Sequence, residues 1–421
     1  MQAEALKNWA GNYTYSTQQV HYPTSVTAVQ QLVRELPGLR ALGTRHCFNA
    51  IADSNAHLVS LQQLQQEIIL DTAAMQVTVG AGMNYGQLSQ YLHDHGLALH
   101  NLASLPHISI AGACATATHG SGSKNGNLAT AVAALQLVTA SGELVSLSRE
   151  KDGDRFMGTV VSLGGAGLIT QLTLNIQPAF TIQQYLYEQL PFQQLEHHLQ
   201  DILSAAYSVS LFTDWQAPRF NQVWLKQLGG VYTAPDNFFS ATPATRNLHP
   251  IGELSAEHCT EQLGIAGPWH ERLPHFRMHF TPSSGEELQS EYFVPLADGY
   301  AALMALTPLM ERIAPLLLIS ELRTIAADQY WMSPCYQQDC MAIHFTWKQD
   351  WPAVQQVLPL IEARLAPFRA RPHWGKLFTM PPAKLAGLYE RLPDFRQLLQ
   401  EYDPQGKFRN AFMDTYIFGR Y

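Results

Sequence analysis

Residues 42–49 read LGTRHCFN, residues 109–127 read SIAGACATATHGSGSKNGN, and residues 371–378 read RPHWGKLF. The first stretch sets an imidazole, His46, in a glycine-marked loop at the end of a strand. The second is a glycine-rich coil. Gly112, Gly120, Gly122 and Gly126 stand among small Ala, Ser and Thr residues, which leaves backbone amides uncovered. Such a coil can wrap a pyrophosphate through its N–H groups. It is neither G-x-G-x-x-G nor a P-loop, and taken alone it leaves a plain surface loop open, although surface linkers rarely carry so many small apolar residues. The third stretch presents a cation, Lys376, next to Gly375 and Trp374; taken alone it is an ordinary surface lysine. The three together point to a bound dinucleotide that does redox chemistry.

Working outward from these stretches, residues 1–178 alternate strands and helices. In TSVTAVQQLVREL, Val26, Val29, Leu32, Val33 and Leu36 share one helical face, and Thr24 or Ser25 can cap it. GLRALGT is a short strand running into the His46 loop, and MQVTVGAG is a second strand. NYGQLSQYLHDHG is a capped helix with Leu88 and Leu92 inward and Gly96 as its stop. LQLVTASGELVSLS reads as a hairpin turning at Ser141-Gly142, and GLITQLTLNIQP as a strand ending at Pro178.

From 179 to 372 long alternating strands take over: QVWLKQL, FRMHFTP, LQSEYFVP, LISELRTI and MAIHFTWK. Helical runs such as ADGYAALMALTPLMERI and WPAVQQVLPLIEARL separate them, which predicts an antiparallel sheet backed by helices. The stretch 220–270, rich in Gly, Pro and Asn, reads as irregular loop. Residues 373–421 return to compact turns and a short helix. Within the strands, period-two alternation puts Glu321 and Arg323 on one face and His344 and Thr346 on one face. If the two strands pair, these four groups line one surface. An anion, a cation, an imidazole and a hydroxyl suit a polyhydroxylated ligand, because each sugar hydroxyl both donates and accepts. A solvated sheet face with a cross-strand ion pair explains the same pattern.

The bulk composition narrows the partners. A chain of 421 residues is long for one core, so two domains are expected. Charged residues make up 14%, against roughly 25% in ordinary domains. The net charge is −8, with no basic excess to displace counterions from nucleic acid. The opening MQAEALKNWAGNY has neither a basic nor an apolar signal region, and no apolar run reaches the ~18 residues that span a bilayer. A cytoplasmic protein with no membrane partner is expected. Five cysteines without a C-x-x-C argue for free buried thiols rather than disulfides or a zinc ribbon. His275 and His279 have helical metal-ligand spacing but sit in a strand-like run, so no metal is expected.

These residues resemble a known family. NWAGN (8–12), G-x-x-H-x-F-N (43–49), ASLPHISIAG (103–112), THGSG (118–122) and RPHWGK are similar to the vanillyl-alcohol-oxidase superfamily of FAD enzymes, in its sugar-alcohol and aldonolactone branch. SVSLFTDW, CTEQLGIAGPWHERLPHFR and HFTW resemble the alditol oxidases within it. The resemblance covers nearly the whole chain. It implies an α+β, two-domain fold: an FAD-binding domain over 1–178, a substrate domain over 179–372, and a C-terminal segment, 373–421, returning to the FAD domain.

It also implies FAD held covalently through His46. Leu42, Gly43, Thr44, Arg45, Cys47 and Phe48 would lie along the pyrophosphate. Ser104, Ser109, Gly112, Thr116, Ala117, Thr118 and His119 would contact FAD, Val160 and Ile169 would approach its adenosine part, and His373 the flavin. Relatives commonly carry Gly where this chain has Arg45 and often where it has Ala117, so the backbone at Arg45 is expected to take a shape that glycine takes easily. Ser104-Leu105 stands where doubly linked relatives have a cysteine, so one link is expected.

For the substrate, the resemblance implies Ser104, Glu321, Arg323, His344, Thr346 and Lys376 as the binding set, with Arg323 and Lys376 catalytic. They would assist hydride transfer from C1 of an alditol such as xylitol or sorbitol to flavin N5, and O2 would then be reduced to H2O2. A monomer with a small polyol and O2 as its partners is the expectation. Two other readings stand beside it: an aldonolactone oxidase or dehydrogenase, and a flavin- or polyol-binding protein without turnover. Glu321 and Arg323 together lean against the lactone. His46, Arg323 and Lys376 together lean against a mere binder.

Overall fold

A computed structural model describes residues 5–230, 232–278 and 286–420. Three small parallel strands, Val20–His21, His57–Val59 and Leu39–Ala41, carry the chain into the His46 loop. A five-stranded antiparallel sheet follows, in the order Ile69–Asp71, Gln76–Gly80, Leu168–Asn175, Val132–Val138, Leu144–Ser148. The helix Val26–Glu35 starts at Ser25, whose hydroxyl accepts from the Ala28 amide. The helix Tyr85–Asp94 starts with a capping box in which Asn84 and Gln87 satisfy each other's backbone amides. Gly96, at φ +72°, ends it. The hairpin turns at Gly142, φ +79°.

The second body is one large antiparallel sheet. Its central strands run in the order Thr181–Pro191, Arg219–Leu228, Ser208–Thr213, Leu317–Ile325, Cys340–Lys348, Glu287–Pro295. One face carries Leu211, Val223, Leu322, Ile343, Phe345, Trp347 and Tyr292, all buried, and packs on the helices Gln194–Leu203, Gly299–Leu306 and Trp351–Leu365. The opposite face is polar at its centre. The predicted pairing of LISELRTI with MAIHFTWK is present, with Glu321 opposite His344 and Ile319 opposite Thr346.

Residues 374–417 return to the first body: Trp374, Phe395, Leu399, Phe408, Met413 and Ile417 share its core with Val29, Leu88 and Leu172. This segment is more helical than one short helix, with Pro382–Ala386, Leu392–Tyr402 and Ala411–Met413.

Two expectations need correction. FRMHFTP does not form a described strand: Phe276 makes a single bridge to Cys259, and residues 279–285, with His279, lie outside the described residues. The region 220–270 is irregular only beyond the strand Arg219–Leu228. Its loop lies over the polar face of the sheet, where Leu248, Cys259 and Phe276 pack on Phe212, Trp224 and Ile319. Glycine and proline there remove regular structure without removing burial.

Candidate active site

The His46 loop is held from both ends of the chain. The Trp9 amide donates to the Arg45 carbonyl at 2.8 Å, and the Trp9 ring stacks on His46 with centroids 5.2 Å apart. Asn8 and Asn12 donate side-chain amides to the carbonyls of Cys47 and Phe48. From the other end, the Phe48 amide donates to Gly375 O at 2.8 Å, while Asn49 Nδ2 donates to both Trp374 O, 2.9 Å, and Lys376 O, 2.7 Å. The first and third motifs are therefore spliced together through backbone.

Lys376 sits at the deep end of a cluster that crosses the sheet. Its Nζ lies 2.7 Å from Glu291 Oε2, and Arg323 Nη2 lies 3.3 Å from Glu291 Oε1. His119 Nε2 approaches the same carboxylate at 3.3 Å. Glu291 is opposite His344, which is opposite Glu321, so three neighbouring strands put carboxylate, imidazole and carboxylate in one row. Arg323 Nη1 donates to Ser104 Oγ at 3.1 Å, which ties the sheet to the first body. Its Nε stands 3.5 Å from Glu321 Oε2, an ion pair without hydrogen-bond geometry. Two carboxylates balance two cations within one water-poor cluster.

That balance sets the charges. Burial pushes the Glu291 carboxyl up, but Lys376, His119 and Arg323 together outweigh it and hold it well below the ordinary carboxylate range. Burial likewise pushes Glu321 up, and Arg323 and His275 overturn it, so Glu321 stays ionised. Lys376 is drawn below its usual value by burial, with Glu291 opposing. His46 is lowered to about 4, first by burial and then by His107, which leaves a neutral ring. Burial and Lys226 lower His275 to about 4, and burial and Lys376 hold His344 and His373 well below 6.5.

Those last three histidines make an acid limit on stability. Unfolded, each ring takes a proton near pH 6.5; folded, it resists. For His275 the unfolded state thus binds more protons between pH 6.5 and about 4, and this ring removes about 1.4 kcal/mol of stability per pH unit as pH falls through that window; His344 and His373 act in the same direction. Above pH 6.5 both states are neutral and the contribution vanishes. The thermal midpoint should fall steadily as pH drops below 6.5; a level midpoint from pH 6.5 down to pH 5 would refute it.

One continuous cavity of about 790 Å³ runs from the His46 loop to this cluster, within the size range of ligand pockets. Of the residues expected from sequence, Leu42 to Phe48, Ser104, Ser109, Gly112, Thr116, Thr118, His119, Ile169, Glu321, Arg323, His344, Thr346, His373 and Lys376 all line it. Val160 and Ala117 do not: both are buried behind the wall.

The walls fit FAD. The backbone amides of residues 43–47 donate to no acceptor among the described residues, which leaves a row of donors for a pyrophosphate. Arg45 at φ +64° and Ala117 at φ +52° hold the left-handed backbone that glycine takes easily. A Cβ on Gly43 or Gly112 would stand 2.7 Å from the Ser109 hydroxyl, which would have to rotate away.

Sequence reading missed four side chains. Glu291 and Gln289 lie in LQSEYFVP, where alternation puts them on one face; an acid inside an apolar strand was the available signal. His275, weighed only for metal, hydrogen-bonds Glu321 at 2.8 Å. Asn49 carried no signal for its grip on Lys376.

The FAD binding domain family matches residues 17–148, and the D-arabinono-1,4-lactone oxidase family matches residues 278–416. The alditol oxidase of a Streptomyces species is 47% identical over 418 residues, 99% of each chain. The L-gulono-1,4-lactone dehydrogenase of Mycobacterium tuberculosis is 26% identical over 96% of this chain and 97% of its own. Cholesterol oxidase from B. sterolicum shares the fold, with a TM-score of 0.78 at 16% identity, covering 98% of this chain and 96% of that one. No helix among the described residues is long and apolar enough to cross a membrane. End-to-end identity at that level, on a fold with an FAD-binding body and a second sheet-and-helix body, means that this chain belongs to the alditol oxidase family of FAD-dependent oxidoreductases, in the sugar-alcohol and aldonolactone branch of the vanillyl-alcohol-oxidase fold.

Proposed function

We propose that the protein oxidises the C1 primary alcohol of alditols such as xylitol and sorbitol to the aldose, with FAD linked covalently to His46 and O2 reduced to H2O2. The observation that carries this reading is the position of Lys376, Arg323 and Glu321 in the same cavity that His46 opens. We divide the chain into an FAD domain, 1–178 with 373–421, and a substrate domain, 179–372, acting as a monomer.

Residues 42–48, Ser104, Ser109, Gly112, Thr116, Thr118, His119, Ile169 and His373 hold FAD in this reading. The neutral His46 ring has the lone pair that a bond to the cofactor needs. FAD, when held by these residues, would supply the acceptor for the two electrons and the hydrogen of the alcohol carbon. Arg323 hydrogen-bonds the C1 oxygen and stabilises the charge growing on it, while Lys376, drawn below its usual value by burial, takes the hydroxyl proton in its neutral form. Glu291 fixes both cations and, with Glu321, balances their charge. Glu321, kept ionised, accepts from the neighbouring hydroxyl. His344 donates Nε2–H to Gln289 Oε1 at 3.1 Å and lines the cavity beside Glu321. Thr346 and Ser104 both donate and accept. Water exclusion follows from burial of the cluster, with Lys376 itself only 14% exposed.

The test is acid precipitation of the purified protein, followed by addition of xylitol and sorbitol to native enzyme while peroxide is measured. A yellow pellet and peroxide are expected. Bleaching of the flavin without peroxide would make it a dehydrogenase, and turnover of aldonolactones alone would favour the lactone reading. His46→Ala should give a colourless acid pellet and slower turnover, with flavin still bound when supplied in excess. A pellet that stays yellow would remove His46 from the linkage.

A further inference from the structure

Behind Glu321 lies a charged chain that the chemistry above does not use. Lys226, in the strand Arg219–Leu228, is on the same sheet face as the active cluster and only 1% exposed. Its Nζ reaches Leu273 O at 2.5 Å, Pro274 O at 3.2 Å and His275 Nδ1 at 3.2 Å. The segment that supplies these atoms is pinned by Thr260, whose amide donates to His275 O and whose hydroxyl donates to Pro274 O.

Counting donors fixes the protons. An ammonium has three N–H groups and no lone pair, and it faces two carbonyls and one ring nitrogen. With the His275 ring held neutral, all three are satisfied by a charged Lys226 and a lone pair on Nδ1. Burial draws this amine down to about 7 while Glu321 pulls the other way, and the three acceptors favour the charged form. The ring proton then sits on Nε2, which donates to Glu321 Oε1 at 2.8 Å. That oxygen is turned to the wall. The other, Oε2, is left beside Arg323. Such outer partners set the orientation of the group that meets the ligand.

We propose that Lys226 and His275 are positioning residues that hold Glu321 as an oriented acceptor, and that this Lys226–His275–Glu321 relay selects substrates bearing a hydroxyl on the carbon next to the reacting one. The inference rests on the alditol reading above. A site built around a hydroxyl rejects the analogue that lacks it, because the buried acceptor is left unmet.

Glycerol and 1,3-propanediol differ by that one hydroxyl, so they are the probes, with xylitol for the kinetic split. Wild type should prefer glycerol in kcat/KM by about 100-fold. His275→Leu should raise the xylitol KM by about 10-fold or more with kcat within about 3-fold, and collapse the glycerol preference to a few-fold. His275→Gln, whose amide can donate from nearly the same place, should restore most of it. Lys226→Met should shift both quantities in the same direction, and the double variant should be no worse than His275→Leu alone, since the lysine acts through the ring. Equal losses on glycerol and 1,3-propanediol, or additive effects in the double variant, overturn the relay. If His275→Leu fails to fold, Lys226→Gln and His275→Gln against the same two diols decide the matter. Wild type that leaves xylitol untouched sinks the alditol reading and the relay together; wild type that oxidises xylitol but shows no glycerol preference sinks the relay alone.

Discussion

Lys376→Met should leave a fully flavin-loaded protein whose turnover of xylitol has fallen by about 10³-fold or more. Methionine keeps the length of the side chain and removes its charge. Losing one donor aimed at a developing oxyanion costs roughly 10²–10³-fold, and loss of proton-transfer assistance adds to it. The flavin should stay, because Lys376 contacts the His46 loop through its backbone carbonyl, which the substitution keeps. Flavin absorbance per protein and the rate of anaerobic bleaching by xylitol measure the two halves separately. Unchanged bleaching would remove Lys376 from the chemistry; lost flavin would make its role structural.

Glu291→Leu should be the most damaging substitution in the sheet. The carboxylate is fully buried and is the common partner of Lys376 and Arg323. Removing one partner of a buried ion pair strands the other charge, at about 3–5 kcal/mol. A lower thermal midpoint and near-complete loss of activity are expected together. Glu291→Gln keeps the shape and should recover part of the stability but little of the turnover. Combining Glu291→Leu with Lys376→Met should be less unstable than Glu291→Leu alone, because the stranded ammonium is gone. If the double variant is the less stable, the pair is not what holds the cluster.

Much of this site is legible in the sequence where a local rule governs it. Period-two alternation is enough to put Glu321 with Arg323 and His344 with Thr346, and the pairing of their strands then needs only two long runs of suitable length. Arg45 is legible for another reason: a left-handed backbone position shows itself when glycine is expected and missing. Glu291 fails that kind of reading. Alternation says which residues share a face, but not that the face will be closed over, and the cations that stabilise Glu291 come from strands and turns tens of residues away. His275 and Lys226 are hidden in the same way. Their meaning depends on an irregular segment folding back over the sheet, and glycine and proline content predicts the irregularity but not where the segment lies. Val160 and Ala117 were assigned by resemblance alone, and neither lines the cavity.

The splice between Asn49 and residues 374–376 bears on how the enzyme is made. A growing chain presents His46 early, yet the turn that braces its loop leaves the ribosome only when synthesis is nearly complete. The loop is braced from both sides only once that turn is in place. A chain cut short before that turn keeps every residue of the first motif and the brace from Trp9, Asn8 and Asn12, but loses the other half of its support.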